Sequence, residues 1–177
     1  MKRYESQLLI ISGPVGVGKT TTAEELSAIL EGEEVGHSFV DLDGLSKTYP
    51  RPKDDRFGEQ LALKNLRAVW AHAQEVGTSH LIVARVIETP DGAKRIAQSV
   101  GANDYVIVQL NASDSNLLNR VRQREIGAGQ DWHERRAIEL ARKMQSLSLA
   151  DIEIDTDDKS IGSIAREIRE HLAWSGG

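Results

Sequence analysis

Three glycines, a lysine and two threonines stand at fixed intervals in Gly13-Pro14-Val15-Gly16-Val17-Gly18-Lys19-Thr20-Thr21. The spelling G-x-x-x-x-G-K-T puts glycines where a chain must turn its N–H groups inward around a polyanion. Lys19 then supplies an ammonium for the outer charges, and the Thr20 hydroxyl is an oxygen donor suited to magnesium. Four apolar residues, Leu8-Leu9-Ile10-Ile11, precede the run and an amphipathic segment follows it. Strand, loop and helix is the setting in which this pattern holds phosphate, with the helix N-terminus adding partial positive charge. Gly13, Val15, Gly16, Val17, Gly18, Lys19, Thr20 and Thr21 therefore form the expected phosphate cradle.

Two carboxylates follow in Asp41-Leu42-Asp43-Gly44, at the end of a second apolar run that carries Phe39 and Val40. Paired carboxylates at a strand end are not core residues; their chemistry is metal binding and proton transfer. Arginine recurs where charge needs a reason: Arg85 ends an apolar run, and Arg120 and Arg124 lie one helical turn apart. Arg51 and Arg56 sit in a proline-rich loop next to the Asp pair. The Asn-Lys-x-Asp guanine reader of a GTPase is missing, since the chain there reads Gln109-Leu110-Asn111-Ala112-Ser113-Asp114. Asp55-Arg56-Phe57-Gly58 spells D-x-x-G without the strand that motif needs.

The elements that must position these groups follow from periodicity. Ala23, Leu26, Ile29 and Leu30 share a face and predict a helix over 18–30. Residues 37–42 read as a strand, 45–57 as loop, and 58–76 as a long helix with Ala62, Leu66, Val69, Trp70, Ala73 and Val76 inward. His80 to Ile87 reads as a strand buried on both faces, as in a parallel sheet. Thr89-Pro90 opens a helix stopped by Gly101, and 104–110 gives a fourth strand. A helix over 113–125 precedes the loop Gly127-Ala128-Gly129-Gln130. Asp131-Trp132-His133-Glu134 resembles a capping box and opens the next helix. A strand at 152–154, a helix at 161–172 and a frayed tail from Trp174 complete the chain.

Strands alternate with helices, so the expected fold is α/β: a five-stranded parallel sheet between two helical layers, with a short helical lid at about 124–136. One domain spanning 1–177 is expected. Ligands of such sheets sit beyond the C-terminal strand ends, where the glycine loop, the Asp pair and Arg85 converge. A net charge of −5 argues against nucleic acid as a partner. The absence of cysteine excludes disulfides and thiolate metal sites, and no run is long enough to span a membrane. A cytoplasmic protein, monomer or homodimer, is the expectation.

With these residues in view, the chain resembles the P-loop nucleoside monophosphate kinase superfamily, which includes shikimate, gluconate, adenylylsulfate and adenylate kinases and chloramphenicol phosphotransferase. The resemblance rests on the glycine loop, on Asp41-Leu42-Asp43-Gly44, on Leu117-Leu118-Asn119-Arg120-Val121-Arg122-Gln123-Arg124 and on Ile154-Asp155-Thr156. It implies a kinase that uses ATP and Mg2+ to phosphorylate a hydroxyl of a small molecule. It also implies that Thr20 and Asp41 hold the metal, that Asp43 is the general base, and that Lys19 and Arg124 stabilise the transferred charge. Arg120 and Arg124 match the R-x-x-x-R that opens an adenylate kinase lid, one arginine toward adenine and one toward phosphate. By the same resemblance Asp155 and Thr156 border the base, and Arg136 closes over the phosphates unless it only pairs with Glu125 and Glu134. The chain departs from the family at Ala84-Arg85-Val86-Ile87-Glu88, where monophosphate kinases carry Asp-Gly, so a nucleotide acceptor is not expected. Arg51, Arg56 and Arg85 are then the acceptor-binding candidates. Two alternatives are a polynucleotide 5′-hydroxyl kinase and a non-catalytic nucleotide-binding regulatory module.

Overall fold

The computed structural model describes residues 3–55, 57–124 and 130–176, apart from the side chains of Arg124 and Gln130. Its elements in chain order are β1 (Leu8–Ser12), α1 (Lys19–Gly32), β2 (His37–Asp41), α2 (Glu59–Glu75), β3 (His80–Ala84), α3 (Pro90–Val100), β4 (Tyr105–Asn111), α4 (Asp114–Arg124), α5 (Gln130–Leu147), β5 (Ile152–Asp155) and α6 (Ile161–His171). The strands form one sheet in the order β2-β3-β1-β4-β5, all parallel. From β1 the chain leaves toward β2 on one side, while β4 and β5 extend the other. The loop after β1 thus lies at the point where such sheets bind ligands.

Alternation along the central strands shows why they read as unbroken apolar runs. Leu9 and Ile11 face a core shared with α1 and α6, through Leu26, Leu30, Ile164 and Ile168. Leu8 and Ile10 face a second core, built with Leu66 and Trp70 of α2 and Ile96 of α3. Successive side chains of a strand point to opposite faces, and with both faces covered every residue of β1 is buried.

Helix boundaries follow local chemistry. The Thr89 hydroxyl accepts the Gly92 N–H at 3.2 Å, Pro90 occupies the first turn of α3, and Gly101 closes it with a φ of 69°. In α2 the buried stripe is Ala62, Leu66 and Trp70, at i, i+4, i+8. Val69 and Val76, expected inward, are exposed, Val69 partly and Val76 almost fully, and Val76 stands beyond the last residue of α2 as its C-cap. The segment expected to be loop contains a short 3-10 turn at Gly44–Ser46. Asp131 lies in the first turn of α5, and the Glu134 carboxylate accepts from Arg122 Nε and Nη2 at 3.0 Å each, joining α5 to α4.

The tail is not frayed at Trp174. Its indole is 2% exposed, stacks on His80 at 4.3 Å and donates from Nε1 to the Ser6 carbonyl at 2.8 Å. Arg169 braces the same turn, donating to the carbonyls of Leu172 and Trp174 and pairing with Glu33. Burial pushes the His80 pKa below its ordinary 6.5, helped by nearby His37 and Arg169, although the Gly36 carbonyl opposes the shift. Between the folded-state pKa and 6.5 the unfolded chain binds more protons, so stability falls as pH drops through that window. Urea unfolding at about pH 7.5 and about pH 5.5 is expected to show this loss. It is expected to shrink in His80→Phe, which keeps the stacked ring and removes the proton.

Candidate functional site

The glycine loop runs from the end of β1 into α1. Gly13, at φ +148°, fits where nothing larger does: a Cβ there would stand 2.6 Å from the Leu110 carbonyl oxygen and 2.8 Å from Val17 Cγ1. Gly16, at φ +83°, would bring a Cβ within 2.8 Å of Val121 Cγ2 on α4. The loop is therefore clamped between β4 and α4, its turn depending on residues without a side chain. Lys19 lies across it, Nζ donating to the Gly13 and Pro14 carbonyls at 3.0 Å each.

At the mouth of the loop, Thr20 Oγ1 donates to Asp41 Oδ2 at 2.9 Å. The other Asp41 oxygen accepts the Asp43 N–H at 3.0 Å, which fixes the carboxylate at the end of β2. A hydroxyl and a carboxylate meeting at a helix N-terminus make an all-oxygen donor set that fits magnesium held between protein and phosphate. Asp43 points the other way and ion-pairs with Arg85, beyond β3. Sequence reasoning picked out both residues separately; the structure joins them across 42 positions.

Asp43 and Arg85 open into a cleft of about 770 Å³ between the ends of β2 and β3, α2, α3 and α5. Val15 of the glycine loop also lines it, so cradle and cleft are continuous. The far wall is charged. Glu88 receives Arg136 at 2.5 Å and Lys143 at 2.9 Å, both from α5. Burial raises the Glu88 pKa, but the hydrogen bonds from Lys143 and Arg136 outweigh it and hold the carboxyl below its ordinary range. Arg136 also pairs with Glu139, whereas of the partners expected for it Glu134 receives Arg122 and Glu125 lies outside the described residues.

Arg120 lies on the opposite side. Its guanidinium donates to Thr156 Oγ1 at 3.0 Å, to the Thr156 carbonyl at 3.2 Å and to the Val17 carbonyl at 3.3 Å, tying the glycine loop to the turn after β5. Thr156 is wholly buried, and Asp155 accepts the Asp157 N–H at 3.0 Å. Asp157 in turn receives the Ser113 N–H and Asn116 Nδ2 at the start of α4. The Asn116 hydrogen bond is the largest cause of its pKa lying below the ordinary carboxylate value. Arg51 is exposed in the loop after β2 and does not line the cleft. Arg56, the Arg124 side chain and lid residues 125–129 lie outside the described residues.

Three contributors were missed from sequence. Ser12, wholly buried, accepts the Ile87 N–H on its hydroxyl at 2.9 Å and so holds the cleft wall against β1. Trp132 and Phe57 line the cleft while 59% and 76% exposed. Trp132 had been absorbed into a capping pattern and Phe57 into a D-x-x-G spelling; an aromatic in a polar stretch was the available signal.

A glycine cradle at the switch point of a parallel sheet, with a threonine and a carboxylate at its mouth, defines a P-loop nucleotide-binding fold. The AAA-domain family matches residues 9–142, most of the chain, and the chain belongs to that family. No curated protein sequence matches it. Among solved structures, the tunicamycin resistance protein of Deinococcus radiodurans superposes with a TM-score of 0.62 at 19% identity, over 98% of this chain and 100% of that one. A gluconokinase from Sinorhizobium meliloti 1021 gives 0.61 at 17%, over 96% and 95%. Shikimate kinase from Acinetobacter baumannii, in complex with shikimate, gives 0.61 at 18%, over 93% and 92%. The chain accordingly shares with these P-loop proteins a parallel sheet between helical layers, and no described helix is long and apolar enough to cross a membrane.

Gly13→Ala is expected to cost about 1–3 kcal/mol in urea unfolding and to weaken nucleotide binding in calorimetry, because the Leu110 carbonyl cannot yield. Gly32→Ala, with nothing within 4 Å and a helical backbone, is the control and is expected to be neutral or stabilising.

Proposed function

We propose that the chain is an ATP- and magnesium-dependent phosphotransferase that moves the γ-phosphoryl group to a hydroxyl of a small molecule. The observation that carries this reading is the continuity of the glycine cradle, through Val15, with a separate cleft that Asp43 lines. A pure nucleotide switch needs the first and has no use for the second.

In this mechanism the acceptor binds in the cleft with its hydroxyl at Asp43. The hydroxyl oxygen attacks the γ-phosphorus, its proton passes to the Asp43 carboxylate, and the bond to the β-phosphate oxygen breaks as ADP leaves with the electron pair. Arg85 holds Oδ1 of Asp43 and so orients Oδ2 toward the proton. Lys19 follows the charge that shifts onto the β,γ-bridging oxygen, and Arg124 supports the transferred group from α4. Thr20 and Asp41 would hold the magnesium, which when bound offsets charge on the phosphate oxygens. Arg120 keeps the turn at Asp155 and Thr156 against the cradle, where it can border the adenine. The segment at about 124–136 serves as the lid that keeps water out, since hydrolysis competes with transfer. The chain acts as one domain spanning 1–177. A polynucleotide acceptor is disfavoured because the cleft arginines are each matched to carboxylates rather than forming a basic channel.

Asp43→Asn is expected to lower kcat about 10²- to 10⁴-fold while leaving the dissociation constant of a nonhydrolysable ATP analogue unchanged within about twofold. ADP release, with phosphorus NMR of the product, measures the first and calorimetry the second. An unchanged kcat would remove Asp43 from the path of the proton.

A further inference from the structure

Charge matching and exposed aromatics in the cleft narrow the acceptor beyond "a small molecule with a hydroxyl". Arg85 pairs with Asp43, Arg95 with Glu59 and Asp91, and Arg136 with Glu88 and Glu139. An entering carboxylate or phosphate would compete with those carboxylates for the guanidinium groups, with no uncommitted cation to receive it among the described lining residues. An entering ammonium would compete with the guanidinium groups for carboxylates they already hold. Apart from Ser46 and Thr89 the rest of the wall is apolar: Leu42 and Ile87 are buried, and Phe57 and Trp132 line it with most of their surface exposed. Large exposed aromatics on opposite chain segments at one opening mark a surface meant to be covered.

We propose that the acceptor is an electrically neutral, hydroxyl-bearing compound with a flat aryl or heterocyclic ring, the ring lying against Phe57 and Trp132 and the hydroxyl reaching Asp43. This rests on the phosphotransferase reading of the same site. Its volume is consistent, since about 770 Å³ is toward the upper end of small-molecule sites and exceeds what a single sugar acid fills. Specificity then comes from ring contact and from hydrogen bonds to paired charges.

The test uses the full chain with a nonhydrolysable ATP analogue and magnesium, titrated calorimetrically with three sets of hydroxyl compounds. These are neutral aryl glycosides and nucleosides, sugar acids and sugar phosphates, and amino sugars. ATP then replaces the analogue to detect transfer by phosphorus NMR. Members of the neutral set are expected to bind best and to be phosphorylated. Trp132→Ala and Phe57→Ala are expected to weaken that binding roughly three- to tenfold without altering affinity for the analogue, and Trp132→Phe to restore most of it. Both side chains are exposed, and the unchanged analogue affinity reports that the variants are folded. Tighter binding of any charged member than of every neutral one overturns the proposal, as does indifference of the neutral set to both alanine variants. Neutral compounds that bind in this ring-dependent way without receiving phosphate leave the acceptor class standing and remove the phosphotransferase reading. Phosphate transferred to a sugar acid does the opposite.

Discussion

The site depends on how tightly β1 ends. At Ser12 and Gly13 the chain passes between β3 and β4 with no space to spare: the buried Ser12 hydroxyl holds the Ile87 N–H, and Gly13 lies against the Leu110 carbonyl. One strand end therefore sets two surfaces. Toward α1 it starts the glycine cradle, and toward α3 it fixes the wall that carries Arg85 and Glu88. A buried serine whose hydroxyl is satisfied by a backbone N–H costs little, whereas losing that bond would leave a buried donor unpaired.

Around that junction, charge is arranged in two different ways. On the cradle side, Lys19 and Thr20 face loop carbonyls and a carboxylate, groups they can exchange for phosphate oxygens and metal. On the cleft side every described guanidinium already has a carboxylate partner. Exposed ion pairs contribute little to stability, so these are better understood as devices for orientation than as supports of the fold. Glu88 is the clearest case, a single carboxylate that draws Arg136 and Lys143 of α5 toward the end of β3.

Local signals made most of the architecture legible. The G-x-x-x-x-G-K-T spacing, the apolar strand runs and the Thr89-Pro90 cap each act within a few residues, and the structure places a cradle, a parallel sheet and α3 where they indicated. What stayed hidden depends on distant partners. Trp174 looked like a frayed end because Ser6 and His80, which bury it, are far away in the chain. Arg136 does pair with Glu139, its neighbour on the same helix, but its second partner, Glu88, reaches it from another element. Phe57 and Trp132 gain meaning only when α5 and the loop before α2 are seen to share a cleft.

The central claim is that the glycine cradle holds the triphosphate of a nucleotide with magnesium, and calorimetric titration of the full chain tests it most directly. ATP, ADP and adenosine are compared with and without magnesium, in the native chain and in Lys19→Ala. The account predicts micromolar binding of ATP, tightened by magnesium, weaker binding of ADP, none of adenosine, and loss of the triphosphate preference in Lys19→Ala. Adenosine binding as tightly as ATP, or ATP binding indifferent to both magnesium and Lys19, would contradict it.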